Sequence, residues 1–156
     1  MALLGSSEVT VNLFSMHAME FVIGKKVIKQ PWIMSQRHLF KKFFKKQPTY
    51  NDWQNNCYIA IMTFAQLIKY FGWEPMYKFM SDYEDDIKNN RDRLPKNNEE
   101  KIDQWVLRYS LIIKHNIKPH FEMWGLPVST SVEDKLNDLP KWSANEATDP
   151  DVFYSD

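Results

Sequence analysis

Apolar and polar positions along the chain alternate mostly with a helical period. Leu13, Met16, Ala18 and Phe21 recur at helical spacing and predict a helix from Ser6 or Ser7 to about Val22. Ser6 or Ser7 can cap it, Glu8 sits in the first turn, where a carboxylate suits the helix dipole, and Gly24 stops it. Its apolar residues lie on more than one side, so the helix is expected to be well buried. Pro31 opens a second helix, clearest at Leu39 to Lys46, where Leu and Phe fill one arc and four lysines the opposite one. Pro48 and Asn51-Asp52 mark a turn or cap. A third helix is read from Trp53 to Phe71, on Ile61, Phe64, Ala65 and Ile68, and Gly72 ends it. Pro75 suits the first turn of a fourth, to about residue 88, so Phe71 to Pro75 is a corner with Phe71 and Trp73 buried on either side. Residues 88–96 form a polar loop. Asn97 and Glu100 resemble a capping box for a helix with the stripe Ile102, Trp105, Val106, Tyr109, Ile112 and Ile113. A short helix from Lys118 to Trp124 ends at Gly125. Thr130 and Glu133 suggest a second box and a last helix to about Leu139. The fold class is all-α: an irregular multi-helix bundle of five to seven helices over residues 1–142, followed by a flexible acidic tail, 143–156.

Composition narrows the functional classes. The chain has 156 residues, 44% of them apolar and 15% aromatic, which is enough for one domain with a substantial core. The single cysteine, Cys57, excludes an internal disulfide and fits a reducing compartment, and it reads as a small buried hydrophobe. No apolar run is long enough to span a membrane, and Met1 to Gly5 is too short for a signal-peptide core. A cytoplasmic location is expected. Net charge is zero, which argues against a nucleic-acid partner, although residues 21–51 hold eight Lys or Arg and no acid. Lys41, Lys42, Lys45 and Lys46 are read as a solvated face, and the alternative is contact with an anionic membrane or an acidic partner. His115 and His120 flank Pro119, which breaks the register a metal pair would need.

The candidate chemistry is at the first helix. Glu8 and Asn12 are four residues apart and share a face. Such a pair on an apolar helix serves either as N-terminal capping or, with partners, as part of a metal site.

The run Glu8-Val-Thr-Val-Asn-Leu-Phe-Ser-Met-His-Ala-Met-Glu20 resembles the segment after the HExxH helix in the enhancin-like zinc metallopeptidases, which are gluzincins. The likeness continues through Ala60 to Pro75, Leu94-Pro95, Trp105-Val106, Pro119 to Pro127 and Leu139 to Trp142. It runs in order over most of residues 6–142 and is greatest to the family's animal TRP-channel-associated factors. The resemblance implies the C-terminal helical half of a catalytic domain that hydrolyses proteins or glycoproteins. In that family two HExxH histidines and a downstream Glu hold zinc, and the HExxH Glu is general base to the bound water. By position, Glu8 matches the downstream ligand, and Asn12 could orient it through a hydrogen bond. No HExxH occurs in this chain: His17, His38, His115 and His120 are its only histidines. The chain is therefore expected to be a C-terminal piece, inactive and zinc-free alone, with the upstream part of its own domain as partner. The alternative is a non-catalytic module that binds a TRP cation channel, influences its trafficking or gating, and sits peripherally at the plasma membrane.

Overall fold

The computed structural model describes residues 7–144, and of Ser7 the backbone alone. Nine α-helices are present among them: α1 (Ser7–Ile23), α2 (Pro31–Met34), α3 (Arg37–Phe44), α4 (Tyr50–Gln54), α5 (Cys57–Phe71), α6 (Glu74–Asn89), α7 (Asn98–Ile113), α8 (Lys118–Met123) and α9 (Thr130–Lys135). Single 3-10 turns lie at Val27–Lys29 and Arg91–Arg93. Among the described residues there is no strand beyond one isolated parallel bridge, Asn116 to Lys141. The architecture is all-α. The capping expected of Ser6 or Ser7, and the acidic tail beyond Ala144, lie outside the described residues.

Helix α5 is the axis of the bundle. Every residue from Ile59 to Ile68 is buried, as an all-round apolar helix requires. Its two buried polar residues are tied to the neighbouring helices. Trp53 of α4 donates its indole N–H to the Thr63 hydroxyl at 2.9 Å, and Trp124, just after α8, donates to the Gln66 carboxamide oxygen at 2.9 Å. His120 of α8 donates from Nε2 to the Thr63 carbonyl at 3.0 Å. A second layer, α6 against α7, meets α5 through aromatic rings: Trp105 lies 4.1 Å from Phe79 and 4.9 Å from Phe64 between centroids. On its outer edge the buried carboxylate of Asp86 takes the Arg108 guanidinium at 2.6 Å, and that group covers the Tyr83 ring at 4.3 Å. Phe40, Phe43 and Phe44 of α3 surround Trp124, with centroid distances of 5.4, 5.5 and 4.9 Å.

Several elements differ from the sequence reading in detail. The second helix breaks at Ser35-Gln36 into α2 and α3, and the third is preceded by a separate turn, α4, ended at Asn55. Thr49 and Asp52 make a reciprocal capping box for α4, and Asn56 caps α5 by accepting from Ile59 N–H at 3.2 Å. At α7, Asn97 accepts from Glu100 N–H, while the Glu100 carboxylate takes the backbone amide of Lys96 and the side-chain amide of Asn97 in place of the Asn97 backbone amide. At α9 the N-cap is Ser129 and not Thr130, with no side-chain cap bond; the Ser129 hydroxyl pairs with that of Ser131 at 2.8 Å, and Glu133 is engaged by Lys118 at 2.6 Å. Trp73 is buried as expected, with its indole N–H on Glu20, while Phe71 is half-buried against Trp142.

Gly125 makes a close approach that no other residue type allows. Its φ is +84°, and a Cβ there would lie 2.8 Å from the Pro48 carbonyl carbon and oxygen.

Candidate functional site

Helix α1 is apolar on two opposite sides. Val9, Leu13 and Met16 form a buried seam against the bundle, where α1 packs on α5. The far side carries Val11, Phe14, Ala18, Phe21 and Val22, spaced as helical neighbours and exposed, the four large ones by 60 to 82%. The expected full burial of this helix is therefore not what the structure shows: one face is covered and the other is open. The reason is that the described residues supply only one neighbouring wall, built by α5, the Val27–Lys29 turn and, through Trp73, the start of α6.

Glu8 and Asn12 lie at the border between these two sides. Glu8 is exposed and Asn12 half-buried, and both line an open cleft of about 330 Å³ with Val11, Cys57 and Tyr58. Its neighbours in the cleft come from the N-terminus of α5, Cys57 lying 49 positions further along the chain. Cys57 is half-buried and is the first residue of α5. Burial pushes its thiol pKa up, and so does the Glu8 carboxylate, through a hydrogen bond and its charge. The sequence reading of Cys57 is a small buried hydrophobe, and the structure leaves it half-buried, directly after the Asn56 cap.

The remaining candidates are dispersed. Lys41, Lys42, Lys45 and Lys46 are all exposed on α3 or just beyond it, with the Phe residues inward as the pattern predicts. Lys46 is engaged by Asp52 at 2.7 Å, which together with Thr49 holds that carboxyl below its usual range. His120 is buried on α5, and burial lowers its pKa to about 4; His115 packs on Phe71 and bonds the Ile113 carbonyl. The two do not form a metal pair. A separate, larger polar groove between α6 and α7 is lined by Asp82, Asp85, Asp86, Arg93 and Arg108, whose carboxylates already hold partners.

A catalytic zinc site takes three protein ligands and leaves one position open. The cleft offers one carboxylate, one amide and one thiol held in its protonated form. Among the described residues no three His, Cys, Asp or Glu side chains come together as a metal site. These residues fit a single ligand position and not a whole site.

No solved structure matches this chain. Curated proteins do. Human TRPM8 channel-associated factor 2 is 32% identical over 143 residues, covering 90% of this chain and 15% of its own length. TRPM8 channel-associated factor 1 of Pongo abelii is 29% identical over 143 residues, and factor 3 of Rattus norvegicus 30% over 145, with the same coverage. The chain thus spans about 15% of the length of these relatives. Residues 3–125 match the family described as peptidase M60, enhancin and enhancin-like. With most of its length inside that match, the chain belongs to the enhancin-like peptidase M60 family.

Proposed function

We propose that this chain is the zinc-completing, cleft-forming helical part of an enhancin-like metallopeptidase domain, which hydrolyses proteins or glycoproteins when joined to an HExxH helix. The family is generally zinc-dependent. The observation that carries the reading is the position of Glu8: an exposed carboxylate at the mouth of a cleft, beside the open apolar face of its own helix. Glu8 supplies the third ligand, Asn12 one turn on orients it, and the uncovered stripe from Val11 to Val22 seats the upstream part of the domain. The chain alone has no HExxH, so it neither holds zinc tightly nor cleaves peptides. The test is zinc stoichiometry and peptide cleavage by a longer protein that contains this segment and an HExxH helix. Glu8→Ala should remove both, and Asn12→Ala should weaken them by about 10- to 100-fold. Full zinc occupancy and normal cleavage in Glu8→Ala would return Glu8 to a capping role.

A second reading rests on the names of the relatives. In it the same fold is a non-catalytic module that binds a TRP cation channel at the cytoplasmic side of the plasma membrane. No helix among the described residues is long and apolar enough to cross a membrane, so this association would be peripheral. The sequence upstream of Glu8 in the longer protein separates the two readings: an intact HExxH favours the peptidase and a broken one favours the binding module.

A further inference from the structure

The larger groove between α6 and α7 is used by neither reading and shares no residue with the α1 cleft. Its volume of about 850 Å³ is of the size that holds ligands. Its charges are sorted by element. Asp82, Asp85 and Asp86 all come from α6, whereas Arg93 comes from the Arg91–Arg93 turn, Arg108 from α7 and Lys135 from α9. The groove therefore has an acidic side and a basic side. Its floor is fixed: the Asp86 side chain, 5% exposed, takes Arg108 at 2.6 Å, and Arg108 also donates to Gln104 Oε1 at 3.1 Å. Compensation is incomplete on both sides. Among the described residues the carboxylate nearest Arg93 is that same Asp86, at 3.9 Å, so two guanidinium groups share one buried acid. Lys135 is exposed and has no ion pair among the described residues. On the α6 side, Asp85 accepts from the side-chain amides of Asn89 at 2.7 Å and Asn90 at 3.5 Å, neutral donors that leave its charge in place. Asp82 pairs with Lys78 at 3.0 Å, but both side chains are open to water, where such a pair contributes little.

We propose that this groove binds an extended peptide segment in which acidic and basic residues alternate. In an extended chain successive side chains point to opposite sides. A segment lying between α6 and α7 therefore turns every second side chain toward Asp82 and Asp85, and those between toward Arg93 and Lys135. Alternating signs satisfy both sides at once. A run of one sign sets half of its side chains against a side of like charge, which costs affinity. The proposal is independent of the zinc reading of Glu8, since the two sites have no residue in common.

The experiment is an amide-resolved NMR titration of this chain at low ionic strength with two acetylated, amidated peptides of identical composition, Glu-Lys-Glu-Lys-Glu-Lys and Glu-Glu-Glu-Lys-Lys-Lys. The alternating peptide should shift the backbone amides of Asp85, Arg93 and Lys135, and should bind about fivefold or more tightly than the block peptide, because only the order of charges differs. Two variants remove one side of the groove each. Arg93→Gln with Lys135→Gln takes away the basic side and Asp85→Asn the acidic one, and each should reduce the preference for the alternating peptide. All three side chains are exposed, so these changes leave the packed interior untouched, and the buried pair of Asp86 and Arg108 is kept intact. Circular dichroism checks that helix content is retained. Equal binding of the two peptides by the native chain overturns the proposal, and so does a preference that persists in both variants. Absence of shifts at the three amides overturns it as well, since the peptide then binds elsewhere or not at all.

Discussion

The indole N–H of Trp124 donates to the carboxamide oxygen of Gln66 at 2.9 Å, joining residues 58 positions apart, both fully buried. This bond fixes the short α8 against the central helix, which α8 is too short to do by propensity alone. Gln66→Leu leaves the indole donor buried without an acceptor and should cost about 1–3 kcal/mol. Urea unfolding followed by tryptophan fluorescence measures it. A change within experimental error would show that the α8 contact rests on packing alone.

His120 should make the fold acid-sensitive. Its pKa is lowered from 6.5 to about 4, chiefly because burial disfavours the charged ring. As pH falls from 7, the unfolded chain takes up this proton first, so stability decreases between pH 6.5 and about 4 and levels off below. The gap corresponds to about 3 kcal/mol across that window. His120→Gln keeps a donor for the Thr63 carbonyl and cannot titrate. Its unfolding free energy should fall less over the same window, and identical pH slopes in the two proteins would exclude His120 as the cause.

The two-sided α1 helix makes the chain prone to associate when studied alone. Exposed contiguous apolar surface beyond a few hundred Å² favours self-contact. Sedimentation equilibrium should show concentration-dependent association, which Phe14→Glu with Val22→Glu abolishes. A monodisperse native monomer over the same range would mean that the stripe needs no cover.

The lysines of α3 are expected to remain solvated. Changing Lys41, Lys42, Lys45 and Lys46 together to Gln should leave co-sedimentation with phosphatidylserine vesicles unchanged. Lys46 in particular is compensated by Asp52. Native binding that is weakened by salt and lost in the fourfold variant would instead make α3 an anionic-surface contact.

The limits of the sequence reading follow from the range of each interaction. The ends of α1 and α5 were legible because Gly24 and Gly72 act locally, each with φ near +75°. The stripe of α7 was legible because Trp105, Val106 and Tyr109 face one layer. The break between α4 and α5 was not, since Trp53 and Cys57 keep helical spacing across the Asn56 cap and the apolar period hides it. Glu133 read as a local cap because nothing in the sequence shows that Lys118, 15 residues earlier, takes its carboxylate. At the site, Glu8 and Asn12 could be paired from helical spacing, whereas Cys57 reaches them only through the packing of α1 on α5.

The close approach at Gly125 has a dynamic consequence. Backbone meets backbone there with no side chain between, so opening of the turn after α8 is expected to disturb the capped turn at Thr49. The chain from the end of α3 to the start of α9 should therefore exchange its amide hydrogens as one cooperative unit, even though its two turns lie about half the chain apart in sequence. The amides of Asp52, held by Thr49, and of Leu126, held by the Phe121 carbonyl, then report one and the same opening event.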